Sequence, residues 1–325
     1  MAGLNNVQVF NRYAYSTVSE LVAQQIALFN AATRGAIILR QATDNDGDFS
    51  EQTFWQLMSG AIRRRDPYSD GDVSAIDLQM LVDAMVKVAG GTPPINIPPV
   101  MFDWIGHNPE EGGVVIGQQL APLMVQDMLN TAVSALAAAL ANQSSNFLDV
   151  SGGSGGAELF SPANIVNAKA KLGDRSGAIA AWVTHSKPMH NYWGGAVANA
   201  TQLFTYGTVA VVADPFGAPM IMADIPALVI AGSPTDYISL GLVPGAAIVE
   251  RNDDFTQNID TRNGGENIRR TYQAEWSYNL GLKGFTWDKT NGGKAPNAAS
   301  IATGTNWDKT ATSFKDLGGV ALRTQ

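Results

Sequence analysis

Apolar residues recur at helical spacing in three parts of the chain. After Thr17, which with Glu20 has the spacing of a capping box, the pattern predicts a first helix. A second apolar stripe, which follows Ser74, predicts another helix. The longest pattern begins near Glu110 and predicts a long helix, with Pro122 either in its first turn or at a kink.

The stretch between the first two predicted helices has the pattern of an excursion from the body of the fold. Residues 36–39 are strand-like, and residues 44–48, Asp-Asn-Asp-Gly-Asp, are a strong turn signal. Residues 61–65 are a candidate return strand that ends at Asp66-Pro67. The pattern therefore predicts a long hairpin or loop across residues 35–75.

Short β-like runs separated by Gly and Pro dominate the second half of the chain. Before them, Ser161-Pro162 opens a predicted helix that ends at Gly173, and residues 191–204 are predicted as a helix among the strands. The predicted strands are residues 179–183, 209–213, 220–222, 227–230, 246–250 and 271–282. The mixture predicts an α+β fold with one long helix, followed by a polar tail.

Charge and composition narrow the classes of function. The 325 residues carry a formal net charge of −8, and the longest basic run is Arg63, Arg64 and Arg65, so the chain lacks the basic face of an electrostatic nucleic-acid binder. With no cysteine there is no disulfide, thiolate metal site or Cys nucleophile. We also expect no signal peptide and no membrane span.

Two constellations suggest chemistry without completing a site. Asp66, Asp70 and Asp77 fall at positions one, five and twelve of a calcium-binding loop, but Tyr68 stands at position three and turn chemistry explains the aspartates of residues 44–48 and 66–77 equally well. A soluble calcium-dependent binding protein therefore stays open as the alternative. His185-Ser186 suggests a hydrolase, but neighbours on a strand face opposite sides, and no G-x-S-x-G elbow exists. We predict no catalytic, metal or cofactor site.

A set of short stretches, taken in order, is more specific than any of them alone. Residues 172–188 run from Leu-Gly-Asp through a strand-like segment to Thr-His-Ser-Lys-Pro, and later stretches are residues 212–217, 221–224, 237–246, 269–272 and 278–287, the last ending in Gly-Phe-Thr-Trp. Upstream stretches are residues 47–49, 64–66, 110–111 and 116–121. From about residue 40 to 290 this order resembles tailed-bacteriophage major capsid proteins of the Hong Kong 97 type. Thr184 replaces the family's usual Met.

The resemblance implies a Hong Kong 97-like phage capsid fold with a defined division of the chain. Its expected parts are an N-terminal arm or helix (1–34), an extended loop (35–75), a peripheral domain (76–177) with a long spine helix (113–143), an axial domain (178–240), a return to the peripheral domain (241–290) and a C-terminal tail (291–325).

The resemblance also implies a function without catalysis. The chain is expected to be a major head protein that assembles as hexamers and pentamers into the icosahedral virion shell, in the cytoplasm of a bacterial host. Expected partners are other copies of the chain, a separate scaffolding protein, a portal and decoration proteins; the shell encloses double-stranded DNA without sequence-specific binding and without a membrane. Arg63, Arg64, Arg65 and Asp66 are the candidate inter-subunit contacts.

Overall fold

The computed structural model describes residues 4–42, 47–55, 64–68, 70–72, 80–98, 100, 108–193, 201–206, 209–213, 219–263 and 268–325. Its α-helices are α1 (Leu4–Ala32), α2 (Pro109–Ala141), α3 (Pro162–Ala170), α4 (Ser186–Trp193) and α5 (Ala298–Ile301). Its strands are β1 (Ile37–Gln41), β2 (Phe49–Trp55), β3 (Met80–Gly91), β4 (Ile95–Asn96), β5 (Phe147–Asp149), β6 (Ala181–Thr184), β7 (Thr201–Tyr206), β8 (Val209–Ala213), β9 (Pro219–Ala223), β10 (Val229–Ile230), β11 (Asp236–Leu242), β12 (Ala247–Arg251), β13 (Thr256–Arg262), β14 (Arg269–Leu282), β15 (Phe285–Trp287), β16 (Trp307–Lys309) and β17 (Gly319–Thr324).

The long strand β14 organises the first sheet, whose main path is β1-β12-β14-β15-β16. Strands β13, β3 and β4 also pair with β14, and β2 joins through β3. Side chains at even positions of β14, from Tyr272 to Leu282, are buried. The buried positions alternate with more exposed ones from Thr271 to Trp276, which is the period-two pattern of a strand with one face towards the core, whereas residues 277–282 are buried at every position.

The second sheet has the order β5-β17-β11-β6-β9-β8-β7, and the short strand β10 also pairs with β11. Strands β5 and β17 are parallel, as are β6 and β9, so segments that lie far apart in sequence meet here. The end of the chain thus forms an inner strand of this sheet. The expected tail is therefore wrong for residues 319–324, because the buried positions of β17 pack between β5 and β11.

Helix α2 runs through the core and contacts both sheets, including β12 and β14 of the first and β11 and β17 of the second. Its 33 residues span roughly 50 Å at 1.5 Å per residue. By length and composition alone residues 110–141 could cross a membrane, but 61% of their most apolar window is buried inside the protein. The helix is apolar on most sides because it is a core helix. Pro122 lies in the middle of α2 and not in its first turn.

Helix α1 packs beside α2, and the two helices run in the same direction. Two glycines of α2 make the close approach possible: a Cβ on Gly113 would lie 2.6 Å from the carbonyl oxygen of Phe10, and one on Gly117 would lie 2.9 Å from Cβ of Thr17. Any larger side chain at Gly113 would meet the α1 backbone. The predicted capping box is wrong, because α1 begins at Leu4 and Thr17 lies inside it.

The helix predicted after Ser74 is also wrong, since residues 80–91 form the strand β3. Consecutive residues Ala84, Met85 and Val86 are all buried, so both faces of β3 are covered here, and Val86 pairs with both β2 and β14. A run buried on both faces loses its alternation, and its apolar spacing then matches a helix by chance. Residues 73–79, including Ser74, lie outside the described residues.

Other boundaries differ by smaller amounts. Of the helix predicted at 191–204, residues 191–193 belong to α4 and residues 194–200 lie outside the described residues, while the prediction is wrong for residues 201–204, which are part of β7. Of the candidate return strand at 61–65, residues 61–63 lie outside the described residues, and Arg64 and Arg65 are not in a strand. The predicted strands at 36–39, 209–213, 220–222, 246–250 and 271–282 are confirmed, as is the helix that Ser161 caps by accepting the backbone N–H of Asn164.

Candidate functional site: surfaces for subunit assembly

A hairpin of β2 and β3 projects beyond the first sheet. The two strands pair from Phe49↔Val86 to Trp55↔Met80, whereas β3 pairs with β14 only from Val86 onwards. The six residues of β3 that precede Val86, from Met80 to Met85, carry the hairpin roughly 20 Å past that pairing. Strand β2 lies within residues 35–75, for which the sequence predicted an extended loop, and β3 lies outside that range.

Ionic and polar contacts hold the base of the hairpin against the loop that follows β15. Lys294 pairs with Asp48 at 2.9 Å, and Lys289 pairs with Glu51. The backbone N–H of Ala84 donates to Oγ1 of Thr286 at 2.9 Å. Such exposed ion pairs contribute little energy individually, but several together fix the direction in which the hairpin leaves the body.

The predicted contact residues belong to the segment of the chain between β2 and β3. Arg64, Arg65 and Asp66 are exposed, and Arg63 lies outside the described residues. The Asp66 carboxylate accepts the backbone N–H of Tyr68 at 2.9 Å, which stabilises a local turn. Tyr68 itself is 95% exposed. Among the described residues no ion pair includes Arg64, Arg65 or Asp66.

A second charged surface, which sequence reasoning missed, lies at the end of the β13–β14 hairpin. Arg262 stands directly opposite Arg269, Arg270 is next along the strand, and Ile268 beside them is 50% exposed. Like charges opposite each other destabilise a strand pair. The pair Arg269-Arg270 is visible in the sequence. The strand β13, however, lies in a polar stretch that has no strand pattern, so its pairing with those arginines was not predicted.

A pocket of about 370 Å³ opens between the hairpin base and the β12–β14 region, and Asp83, Arg40 and Lys283 are among its lining residues. Burial raises the pKa of Asp83 to about 6. Its Oδ1 is buried without a hydrogen-bond partner among the described residues. Arg40 is already bound to Glu250. A carboxylate left in this state costs folding free energy, which makes the pocket a strained part of the subunit.

His185 and Ser186 come together with Asp224, contrary to the expectation that they face opposite sides. Nε2 of His185 lies 3.4 Å from Oδ1 of Asp224, and Oγ of Ser186 lies 3.4 Å from Nδ1 of His185. The expectation fails because β6 ends at Thr184 and Ser186 is already in α4.

This cluster has the bonding of a helix start. Nδ1 of His185 accepts the backbone N–H of Lys187 at 3.2 Å, and Asp224 accepts the backbone N–H of Ser186 at 2.9 Å. Burial raises the pKa of Asp224, but the hydrogen bonds from Ser186 and the nearby His185 outweigh it, so that pKa lies below its ordinary value. The lone pair that a general base would need is engaged by the backbone.

Calcium ligands do not assemble in the part of the chain that the structure describes. No group of three or more acidic or histidine side chains there is arranged to hold a metal ion. Asp77 and residues 44–46 lie outside the described residues, and the Asp66 side chain serves a turn. The calcium-dependent alternative gains no support from these residues.

Solved structures identify the class of fold. The capsid asymmetric unit of cyanophage Pam1 is similar with a TM-score of 0.51 at 12% identity, covering 90% of this chain and 91% of that chain. The capsid of Ralstonia phage GP4 and the head of Helicobacter pylori bacteriophage KHP40 each give 0.47 at 10% identity, covering 89% and 90% of this chain and 87% and 88% of theirs. The fold is the Hong Kong 97-like fold of phage capsid subunits.

The family is more specific than the fold. Residues 6–321 match the Gp13-like family, described as major capsid protein 13-like, and the chain belongs to that family. No curated protein sequence matches the chain. The prediction of a tailed-phage major capsid protein, a component of the virion shell, is confirmed.

Proposed function

We propose that this chain forms hexamers and pentamers that close into an icosahedral shell around double-stranded DNA. The family match over residues 6–321 carries the proposal. The projecting β2–β3 hairpin supports it, because an arm anchored at its base and exposed at its outer residues is suited to reach a neighbouring copy. The role is structural and not enzymatic.

The architectural roles follow from the two sheets. In this proposal α2 is the spine helix, the first sheet is the peripheral domain, and the second sheet is the axial domain. The hairpin is the extended loop and α1 the N-terminal arm. The second sheet draws in β5 and β17 from outside residues 178–240, so the proposed axial domain is larger than the sequence suggested.

Partners beyond the chain itself are also part of the proposal. A separate scaffolding protein guides assembly, a portal occupies one vertex, and decoration proteins bind the outer surface. The DNA is enclosed without sequence-specific contact, in keeping with a net charge of −8. Tight binding of purified subunits to duplex DNA at ~150 mM salt, where weak phosphate contacts are largely competed away, would contradict this arrangement.

The deciding experiment is expression of the chain followed by light scattering on a sizing column and electron microscopy. Rings of five or six subunits, or closed shells, are the expected products. A monomer at every concentration, with and without a co-expressed scaffold from the same source, would refute the proposal. A monomer whose melting temperature rises with calcium would favour the calcium-binding alternative instead.

The arginines of the hairpin are tested in the same assay. Arg64→Ala and Arg65→Ala should impair assembly while leaving the melting temperature of the free subunit unchanged, because both side chains are exposed. Lys309→Ala, which removes an exposed cation from β16, is the control and should assemble normally. Normal shells from both arginine variants would remove the proposed contact role.

A further inference from the structure

A groove of about 470 Å³ lies between α2, the end of β3 and the segment that leads into α5. Leu120, Leu123 and Ile301 contribute apolar walls. Asp127 is the one charged side chain among the described residues that line it. A mainly apolar groove with a single carboxylate selects a ligand that is both cationic and partly apolar.

The Asp127 carboxylate is only partly satisfied by the subunit. The Tyr278 hydroxyl donates to its Oδ2 at 3.1 Å and lies 2.9 Å from Oγ1 of Thr131. Burial raises the pKa of Asp127, and the hydrogen bond from Tyr278 opposes that rise without cancelling it. No ion pair within the described residues includes Asp127. A desolvated carboxylate in this position gains free energy when a cation reaches it.

The walls of the groove match the stem of an arginine. Leu123, which lines the groove, is 58% exposed. An arginine side chain packs its methylene groups on apolar surface and places a planar guanidinium on a carboxylate. Binding of that kind would cover Leu123 and pair Asp127 in one step.

The chain itself supplies such a group on the projecting hairpin. Arg64 and Arg65 are exposed and make no ion pair with the described residues. Close by, Tyr68 is held almost fully in solvent by the Asp66 turn. Arginine and tyrosine are the residue types that most often anchor protein interfaces. Neither arginine pairs with Asp127 among the described residues of one subunit, so an arginine of this segment that reached Asp127 would belong to another copy.

We propose that the Asp127 groove of one subunit receives the Arg64–Arg65 segment of a second copy. The inference rests on the proposed shell function and adds the partner residues for the hairpin. It assigns the exposed arginines a specific acceptor and gives the unpaired carboxylate on α2 a role in assembly.

A double-mutant cycle tests the pairing. Asp127→Asn retains an acceptor for Tyr278, so the free subunit should keep its fold, while assembly should require at least about tenfold more subunit, as for loss of one charged hydrogen bond. Arg64→Ala with Arg65→Ala should have a similar effect, and the combination should be no worse than either alone. Glu110→Gln, which neutralises an exposed carboxylate on the same helix, should show no coupling. Multiplying effects, or normal assembly of Asp127→Asn, would overturn the proposal.

Cross-linking gives a reading that does not depend on shell formation. The chain has no cysteine, so Leu123→Cys and Tyr68→Cys subunits, which keep Asp127, Arg64 and Arg65, can be mixed and treated with a short bis-maleimide. Mixed dimers should form from this pair and not when Glu110→Cys replaces Leu123→Cys. Shells without these dimers would refute the groove assignment and leave the proposed function intact, whereas dimers without rings or shells would support the groove and contradict the function.

Discussion

Gly113 on α2 provides a direct test of the helix pair at the centre of the subunit. A Cβ at this position would lie 2.6 Å from the Phe10 carbonyl oxygen and 3.0 Å from the Ala14 backbone nitrogen, where ordinary contact begins at 3.4 Å. Both atoms belong to the backbone of α1, so no rotamer change relieves the overlap. Gly113→Ala therefore forces α1 away from α2 by several tenths of an ångström.

The expected loss in the free energy of unfolding is the difference between two opposing effects of the substitution. Overpacking of a close-packed contact costs about 1–3 kcal/mol, and replacing Gly by Ala inside a helix returns up to about 1 kcal/mol. The net loss in the free energy of unfolding should be about 1–2 kcal/mol. In a chain of this size that lowers the melting temperature by several degrees. The buried positions Phe10, Ala14 and Val18 of α1 hold the helix in place and prevent a free displacement.

Urea unfolding of the unassembled subunit measures this loss, and hydrogen exchange of the α1 amides reports whether the helix has loosened. Gly177→Ala is the matched control, because nothing lies within 4 Å of its Cβ position and its φ is not positive. That variant should be neutral or slightly more stable. If Gly113→Ala were as stable as Gly177→Ala, with α1 protection unchanged, the close approach of the two helices would be refuted.

Two further changes test buried polar groups. Because the pKa of Asp83 is about 6 in the folded subunit against an ordinary 3.8, the folded form binds the proton more tightly, and this group's contribution to stability falls as pH rises from about 4 to 6. Asp83→Asn should remove this pH-dependent loss of stability and should be more stable than the unsubstituted protein at pH 7 in urea titrations. The exposed control Asp308→Asn should have neither effect. An unchanged pH dependence of stability in Asp83→Asn would contradict the burial of this carboxyl group. Tyr278→Phe should cost about 1–3 kcal/mol by leaving Asp127 without its donor, and Tyr13→Phe on the surface of α1 should not; equal stabilities would count against the hydrogen bond.

The sequence predicted correctly those helices and strands whose residue pattern depends on local chemistry or on a single packing partner. The first half of the strand at 271–282 alternates because only one of its faces is buried there, and Ser161-Pro162 marks a helix start by its own chemistry. β3 was predicted wrongly because its burial depends on β2 and on β14, almost two hundred residues away. β17 was missed for the same reason: its partners β5 and β11 lie far upstream in sequence.

The residues of the candidate surfaces also divide into those that local sequence predicts and those that depend on distant parts of the chain. Arg64, Arg65 and Asp66 were predicted because a charged run in a turn-rich segment is visible locally. Asp83 and Asp127 were not, since a carboxylate becomes unusual only when distant residues desolvate it. The ordered resemblance to capsid proteins supplied the class, and it could not supply the polar groups specific to this chain.

Three groups are energetically unfavourable in the free subunit, and contacts with neighbouring subunits in the shell would explain all three. Asp83 is buried with an unpartnered oxygen, Arg262 stands opposite Arg269, and Leu123 is exposed on a core helix. In a monomer the unpartnered Asp83 oxygen would cost about 1–3 kcal/mol and the facing arginines up to about 1 kcal/mol, whereas exposed Leu123 would cost little. Association stabilises only the folded subunit, so a shell protein can retain such groups where a neighbour relieves them. Substitutions that stabilise the free subunit at these positions should therefore weaken assembly, and variants that gain in both would show that the groups are defects with no role between copies.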